Sequence, residues 1–237
     1  MSLAEDPSPD HYADDFVAGG LRDSSFTSVF THALQGRPCT VVGVGDPGGE
    51  GDVSTRLPVG DWVRDADAAD LTLLSHCEGP TLDIGCGPGR LAAALAERGR
   101  VVLGIDVVHE AVGQTRDRGV AALRRDVFQR LPGEGRWSTA LLADGNVGIG
   151  GDPVALLRRT RELIDPRGRI VVEVAEPGCA TQTLWAVLEC AGARSRPFRW
   201  AVVGADAVHD VAEQAGLGVR AVHEFGGRWC AVLGDWA

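Results

Sequence analysis

Apolar residues in this chain fall into two patterns that alternate from about residue 62 onward. Short continuous apolar runs at Thr81–Ile84, Val101–Asp106, Val120–Asp126 and around Leu141-Leu142 predict strands buried on both faces. Between them, Asp65–Cys77, Leu91–Arg98, His109–Arg118 and Val154–Ile164 predict helices, the first with Ala68, Leu71, Leu74 and Ser75 on one side. The punctuation agrees. Gly79-Pro80 stops the first helix, Gly119 closes the third, and Asp152 with Pro153 gives the fourth an N-cap and a first helical residue. Pro166 and Gly168 lead into a fifth strand, Arg169–Ala175. Strands alternating with helices predict an α/β fold with a doubly wound, mostly parallel sheet and helices on both faces.

Outside that alternation the pattern changes. Residues 1–35 begin polar and acidic, with Pro7 and Pro9, and read as frayed. Thr40–Val44 and Val53–Val59 flank the loop Gly45–Gly51 and predict a hairpin with a long glycine-rich tip. After the fifth strand, Gln182–Cys190 and Arg194–Val203 both suit strands, separated by Ala191-Gly192-Ala193. A Gly-Ala type II′ turn there places Trp185 opposite Trp200 and Val187 opposite Phe198. Leu184, Val187 and Leu188 also have helical spacing, so a helix over Thr181–Cys190 is the alternative. A helix over Ala205–Ala215 and a closing hairpin, Val219–Phe225 with Arg228–Leu233 around Gly226-Gly227, complete the chain. The expected organisation is an N-terminal extension and β-hairpin (1–61) before a main domain (62–237) that carries a hairpin-like insertion at 179–203.

Residues 81–90, Thr-Leu-Asp-Ile-Gly-Cys-Gly-Pro-Gly-Arg, carry most of the chemical information. They read as a buried strand, a glycine-rich loop and an immediate helix, which brings bare backbone amides and a helix N-terminus to a ligand. Dinucleotide-binding domains use the same device, but their third glycine falls where this chain has Arg90. Here the spacing is Gly85-x-Gly87-x-Gly89, with Asp83 inside the strand. The next strand ends in Asp106, placed to accept hydrogen bonds from both hydroxyls of a ribose. The third strand again ends in an acid, Asp126, followed by Val127 and Phe128.

With these residues the sequence resembles the class I S-adenosylmethionine-dependent methyltransferases, well over residues 62–176 and more loosely beyond. Leu82–Leu91 resembles the family's first motif, Gly104-Ile105-Asp106 its ribose-binding acid, and Arg125-Asp126-Val127 its adenine-binding segment. The resemblance implies a seven-strand sheet whose antiparallel last strand is the closing hairpin, and S-adenosyl-L-methionine as cofactor. It implies that Gly85, Cys86, Gly87 and Gly89 line the methionine end, with Asp83 near the amino group. It also implies Asp106 and Val107 at the ribose, Asp126 near the adenine amine, and Val127 against the ring.

Composition narrows the partners. A net charge of −10 argues against nucleic acid, whose phosphates need a basic face. No apolar run is long enough to cross a membrane and no signal peptide stands out. Six cysteines are scattered singly at 39, 77, 86, 179, 190 and 230 without a CxxC pair, a cytosolic thiol pattern with no zinc spacing. The expected compartment is therefore the cytoplasm. His76 and Cys77 are neighbours on a helix that point apart and read as structural. No HExxH-like pattern or carboxylate cluster suggests a metal.

The chain has 23 arginines, no lysine and a single asparagine, Asn146, as coding from a very GC-rich genome would give. Under that bias a lone asparagine stands out. It lies in Asp144-Gly145-Asn146, at the end of the fourth strand, where the resemblance implies that the transferable methyl lies. Asn146 or Asp144 orienting the acceptor is the catalytic reading; a loop-capping Asx turn is the structural one. His109 reads as a helix-start residue. Trp185 and Trp200, in the inserted segment, are the candidate acceptor-covering residues. The expected function is methyl transfer to the oxygen or nitrogen of a small-molecule acceptor in specialised metabolism. The alternatives are a cofactor-binding protein without turnover or with another transfer chemistry, and an NAD-dependent oxidoreductase.

Overall fold

The computed structural model describes residues 23–44 and 54–235. The expected loop Gly45–Gly51, Val53 and the acidic start with Pro7 and Pro9 lie outside the described residues. Thirteen strands and seven α-helices are described: β1 Asp23–Ser24, α1 Phe26–Leu34, β2 Cys39–Val44, β3 Ser54–Arg56, α2 Val59–Val63, α3 Ala68–Ser75 and β4 Thr81–Ile84. Then follow α4 Arg90–Glu97, β5 Val102–Asp106, α5 His109–Asp117, β6 Ala121–Arg124, β7 Trp137–Leu142, α6 Pro153–Leu163 and β8 Ile164–Val174. The chain ends in β9 Gln182–Cys190, β10 Ala193–Ser195, β11 Phe198–Val202, α7 Val208–Gln214, β12 Gly218–Phe225 and β13 Arg228–Gly234.

The main sheet has seven strands in the order β12-β13-β8-β7-β4-β5-β6. Pairings from β8 through β6 are all parallel, and β13 runs antiparallel between β8 and β12. This is the doubly wound sheet the alternating pattern predicts. β4 is buried at all four positions, which is why it reads as a continuous apolar run. Helices α6 and α7 cover one face, packing Leu156, Leu157, Val208 and Ala212 with Leu142 and Val172. Helices α3 and α4 cover the other, packing Leu73, Leu91 and Leu95 with Leu141 and Val171. Helix α3 starts three residues later than the pattern suggests, because Asp67 and Asp70 close a reciprocal capping box at its N-terminus. Asp152 caps α6 through the Ala155 N–H and Pro153 opens it, as the sequence implies.

The segments that flank the alternation in sequence come together in space. β2 and β3, from before the main domain, join β9 and its neighbours in a second sheet of six strands, ordered β1-β10-β9-β2-β3 with β11 also on β9. Neither segment has enough strands to bury a face alone; together they do. Several expectations change here. Residues 26–34, within the segment read as frayed, form α1, whose Val29 and Ala33 are fully buried against this second sheet. Of the expected strand over Val53–Val59, only Ser54–Arg56 is strand, and Val59 opens the short α2. The cysteines are not all single: Cys39 and Cys190, register partners on β2 and β9, form a disulfide between the two segments.

The insertion is strand rather than helix, but its register differs from the expected one. The turn is Ala191-Gly192, both residues at positive φ (50° and 81°), so it is of the I′ kind and not a II′ turn at Gly192-Ala193. Ser195, Arg196 and Pro197 then shift the ladder, so that Phe198 pairs with Ala186, Arg199 with Trp185 and Trp200 with Leu184. The cause lies in Pro197, which has no N–H to give. The buried Ser195 hydroxyl steps into the ladder, accepting from the Leu188 N–H at 2.9 Å and donating to the Arg196 carbonyl. A slip of one residue sends each side chain to the other face. Trp185 and Trp200 therefore lie on opposite faces.

Replacing Ser195 by Ala leaves the buried Leu188 N–H without its acceptor. The expected loss is about 1–3 kcal/mol in chemical denaturation; an unchanged midpoint would mean that the ladder closes without the hydroxyl.

Candidate functional site at the carboxyl edge of the main sheet

Three strand ends converge at the carboxyl edge of the parallel strands, where open α/β sheets bind ligands. After β4 the chain turns through Gly85, Cys86, Gly87, Pro88 and Gly89 into α4. Gly85 has φ +72°, and a Cβ there would stand 2.7 Å from the Asn146 amide nitrogen, so no other residue fits without displacing that side chain. Gly87 has φ +53° and open space where its Cβ would be, so its backbone faces an unfilled volume. Its N–H donates to Asp106 Oδ2 at 3.0 Å, and its carbonyl accepts from the Thr115 hydroxyl at 2.8 Å. Cys86 turns its side chain inward, with Sγ 3.6 Å from the Thr115 hydroxyl, and burial pushes its thiol pKa well above the usual range. Cys86 thus gives the loop backbone and packing.

Asp106 stands across from this loop at the end of β5. Its two oxygens accept from the backbone N–H groups of Gly87 and Val108, the latter at 2.8 Å. Burial raises its pKa against those hydrogen bonds. Val107 beside it is exposed. At the end of β6, Asp126 caps the Phe128 N–H at 2.9 Å; Val127 is buried in the main core, and the Phe128 ring is exposed near Gly150. Side chains with open apolar surface at this corner are thus Val107 and Phe128, while Val127 packs inward.

Asp83 is the least satisfied group of the edge. It is 2 % exposed and its Oδ2 has no hydrogen-bond partner. Burial, and then the nearby charges of Asp144 and Asp106, push its pKa up to about 7 from an ordinary 3.8, against the pull of Arg90. A buried carboxylate oxygen without a partner, beneath a glycine loop, is chemically suited to a cationic donor.

After β7 the chain makes two successive positive-φ residues, Asp144 (51°) and Gly145 (81°), before Asn146. The Asn146 amide donates to the Ile84 and Gly85 carbonyls at 3.0 and 2.9 Å. Its donor half is therefore occupied in clamping the first glycine loop, a role the sequence did not suggest. Asp144 receives Arg90 on both oxygens, at 2.8 and 2.7 Å, and its backbone N–H donates to Glu173 at 2.7 Å. Arg90, buried at the start of α4, also pairs with the fully buried Asp70. Arg228, on β13, donates to both oxygens of Glu173 at 2.7 and 2.8 Å and to Asp70 at 2.6 Å. Arg64 closes the set on Asp70 at 2.7 Å. Burial alone would raise the Asp70 pKa, but the hydrogen bonds from Arg90 and Arg228 hold it well below the carboxylate range. Of this network the sequence marked only Asp144, and Arg90 for a different reason; Asp70, Glu173 and Arg228 come from three distant segments and carry no motif.

The second sheet meets this edge at the loop that follows Asn146. Ile149 bridges to Trp200, and the Thr183 hydroxyl donates to the Gly151 carbonyl at 2.8 Å. A Cβ on Gly148 would strike the Ala201 carbonyl and stand 2.6 Å from the Trp200 indole nitrogen, so only glycine allows this contact. Trp200 thus borders the loop that holds Asn146, whereas Trp185, 44 % exposed, lies on the other face of its sheet. Helix α1 joins the two sheets from the other side: Leu34 packs on Val108 and Ala111, and Gln114 donates to its carbonyl.

The comparisons with known proteins fit this geometry. Residues 81–168 match the family described as a methyltransferase domain. The fold is similar to that of a SAM-dependent methyltransferase from Bacteroides fragilis in complex with S-adenosyl-L-homocysteine, with a TM-score of 0.71 at 20 % identity over 89 % of this chain and 94 % of that one. It is also similar to the CcbJ methyltransferase from Streptomyces caelestis, with a TM-score of 0.57 at 19 % identity over 71 % and 88 % of the two chains. The Burkholderia thailandensis 1,6-didemethyltoxoflavin-N1-methyltransferase gives 0.53 at 19 % identity over 71 % and 77 %. No curated protein matches the sequence. Residues 81–168 thus match a methyltransferase domain, set in a fold shared with the S-adenosylmethionine-dependent methyltransferases above. No helix among the described residues is long and apolar enough to cross a membrane.

The Asp83 environment makes stability depend on pH. Its folded pKa of about 7 lies above the ordinary 3.8, so its contribution is complete below pH 4 and is lost as pH rises through 7. Asp83→Asn should flatten that fall: in the unliganded protein the gap between variant and wild-type melting temperatures should widen in the variant's favour from pH 5 to pH 8. Parallel curves would mean that Asp83 is ionised and satisfied throughout.

Proposed function

We propose that the protein transfers a methyl group from S-adenosylmethionine to the oxygen or nitrogen of a small-molecule acceptor. The observation that carries the reading is the unpartnered Oδ2 of Asp83 beneath the Gly85–Gly87 loop, with Asp106 across from it. That donor set fits the cofactor: a buried anion for its amino group, bare backbone for its methionine chain, and a strand-end carboxylate for its ribose.

When bound, the cofactor supplies a methyl group on positively charged sulfur, already a good electrophile. The protein's own residues then hold and orient. Asp83 accepts from the amino group, and the glycines at 85, 87 and 89 let the chain approach closely. Asp106 accepts from the ribose hydroxyls with the lone pairs its two backbone N–H bonds leave free. Asp126 faces the adenine amine; Val107 and Phe128 offer the apolar surface beside the ring, and Val127 contributes backbone. On the acceptor side, Asn146 is fixed by its own amide, and its Oδ1 has no hydrogen bond among the described residues. That oxygen orients an acceptor O–H or N–H in line with the methyl. Trp200 and the loop from Gly148 to Gly151 wall the acceptor space and exclude water. A wall built from a second sheet, in a chain of net charge −10, suits a small molecule better than nucleic acid. The similar Burkholderia thailandensis enzyme, by its name a 1,6-didemethyltoxoflavin-N1-methyltransferase, supports the same class.

Incubation with labelled S-adenosylmethionine and a metabolite extract, followed by mass detection of a product heavier by CH₂, tests the function. Cofactor binding without any labelled product would favour a binding protein; binding of NAD instead would favour an oxidoreductase. Asp106→Ala should weaken cofactor binding by roughly 1–3 kcal/mol in calorimetry. Asn146→Ala should lower cofactor affinity as well as turnover, because it releases the Ile84 and Gly85 carbonyls. Asn146→Asp should be worse, since it sets a carboxylate against both carbonyl oxygens. Normal affinity in both variants would show that the clamp does not support the loop.

A further inference from the structure

We infer that the acceptor is a small molecule built on a planar aromatic ring, held against a row of aromatic side chains over the carboxyl edge; this deepens the methyl-transfer reading above and rests on it. Five rings form the row. Trp62 lies 5.8 Å from Phe30, and Phe30 stacks on Phe26 at 5.3 Å. Phe26 meets Phe198 edge-on at 4.8 Å, and Phe198 meets Trp200 edge-on at 6.5 Å between centroids. The rings come from α2, α1 and β11, so only the tertiary structure assembles them.

The row is seated on the ligand edge at two places. Phe26 and Phe30 pack on Val108 and Ala111 as well as on the second sheet, and Val108 comes two residues after Asp106. Trp200 lies against Gly148, two residues after Asn146, with its indole nitrogen 2.6 Å from where a Cβ would stand. The row therefore crosses from the ribose carboxylate to the loop of Asn146, over the space between them. On β11, Phe198 and Trp200 share the face that α1 covers, paired with Ala186 and Leu184.

Two features separate this surface from ordinary packing. The clusters on the main sheet bury no aromatic side chain completely, whereas the row collects three of the chain's six phenylalanines and two of its six tryptophans. Only Phe198 is buried; Phe26, Phe30, Trp62 and Trp200 each keep part of their surface open. A row that served only as core would be closed. Open rings favour a flat aromatic partner, which takes offset-stacked or edge-on contacts, over a saturated ring of the same skeleton.

The test is calorimetry with S-adenosylhomocysteine bound, titrating 2-naphthol and its saturated counterpart, decahydro-2-naphthol. The wild-type protein should bind 2-naphthol about tenfold tighter. Trp200→Leu should erase most of that preference while S-adenosylhomocysteine affinity changes by less than about twofold, and Trp200→Phe should restore it. Phe26→Leu repeats the test from the middle of the row and decides it if Trp200→Leu loses S-adenosylhomocysteine as well. Trp185→Leu, on the other face of the sheet, should leave both probes unchanged. Equal binding of the two probes, binding of neither, a preference that survives the leucine variants, or an equal loss in Trp185→Leu would overturn the inference. If the wild-type protein binds neither S-adenosylmethionine nor S-adenosylhomocysteine, the methyl-transfer reading fails instead.

Discussion

The Arg90 guanidinium, buried between Asp70 and Asp144, is the contact on which the carboxyl edge of the main sheet depends. A cation so placed is costly unless its partners surround it, and the partners come from α3 and from the loop after β7. Through them Arg90 joins three elements that no local rule brings together: helix α3 before β4, the start of α4, and the loop that carries Asn146. Arg228 and Glu173 extend the same network to β13 and β8. Cutting one member leaves opposite charges buried without compensation, so the group acts as a unit. This gives a physical reason for a rigid floor beneath a ligand edge built from loops.

The upper wall is made differently. Two segments separated by more than a hundred residues form one sheet, tied by the Cys39–Cys190 bond and covered by α1. Its contact with the main domain centres on the backbone of one loop: Gly148 lies against the Ala201 carbonyl and the Trp200 indole, Ile149 bridges to Trp200, and the Gly151 carbonyl accepts from Thr183. A wall seated on main chain has little freedom to shift relative to Asn146. Floor and wall therefore meet at the same short loop, from Asp144 to Gly151.

Residues 81–175 are legible in the sequence because the relevant constraints are local. A strand buried on both faces must be continuously apolar, a tight turn beneath a ligand needs glycine, and a helix start prefers Asp then Pro. Thr81–Ile84, Gly85-x-Gly87-x-Gly89 and Asp152-Pro153 each carry such a rule. The Trp185 and Trp200 register differs from the expected pairing because it depends on Pro197 and Ser195 acting across strands, and hydrophobic alternation is insensitive to a single inserted residue. Asn146 stands out in the sequence, but its amide's partners are carbonyls 62 and 61 residues earlier in the chain.

By itself, then, the sequence determined the α/β class, the strand-end acids Asp83, Asp106 and Asp126, and the glycine loop, all set by backbone conformation and burial within a few residues. Only the tertiary structure decided which charges neutralise one another, that the N-terminal and inserted strands share a sheet, and that the two tryptophans face opposite ways. Ion pairs and strand pairing join residues far apart in the chain, and their energies depend on burial and distance, which no stretch of sequence contains.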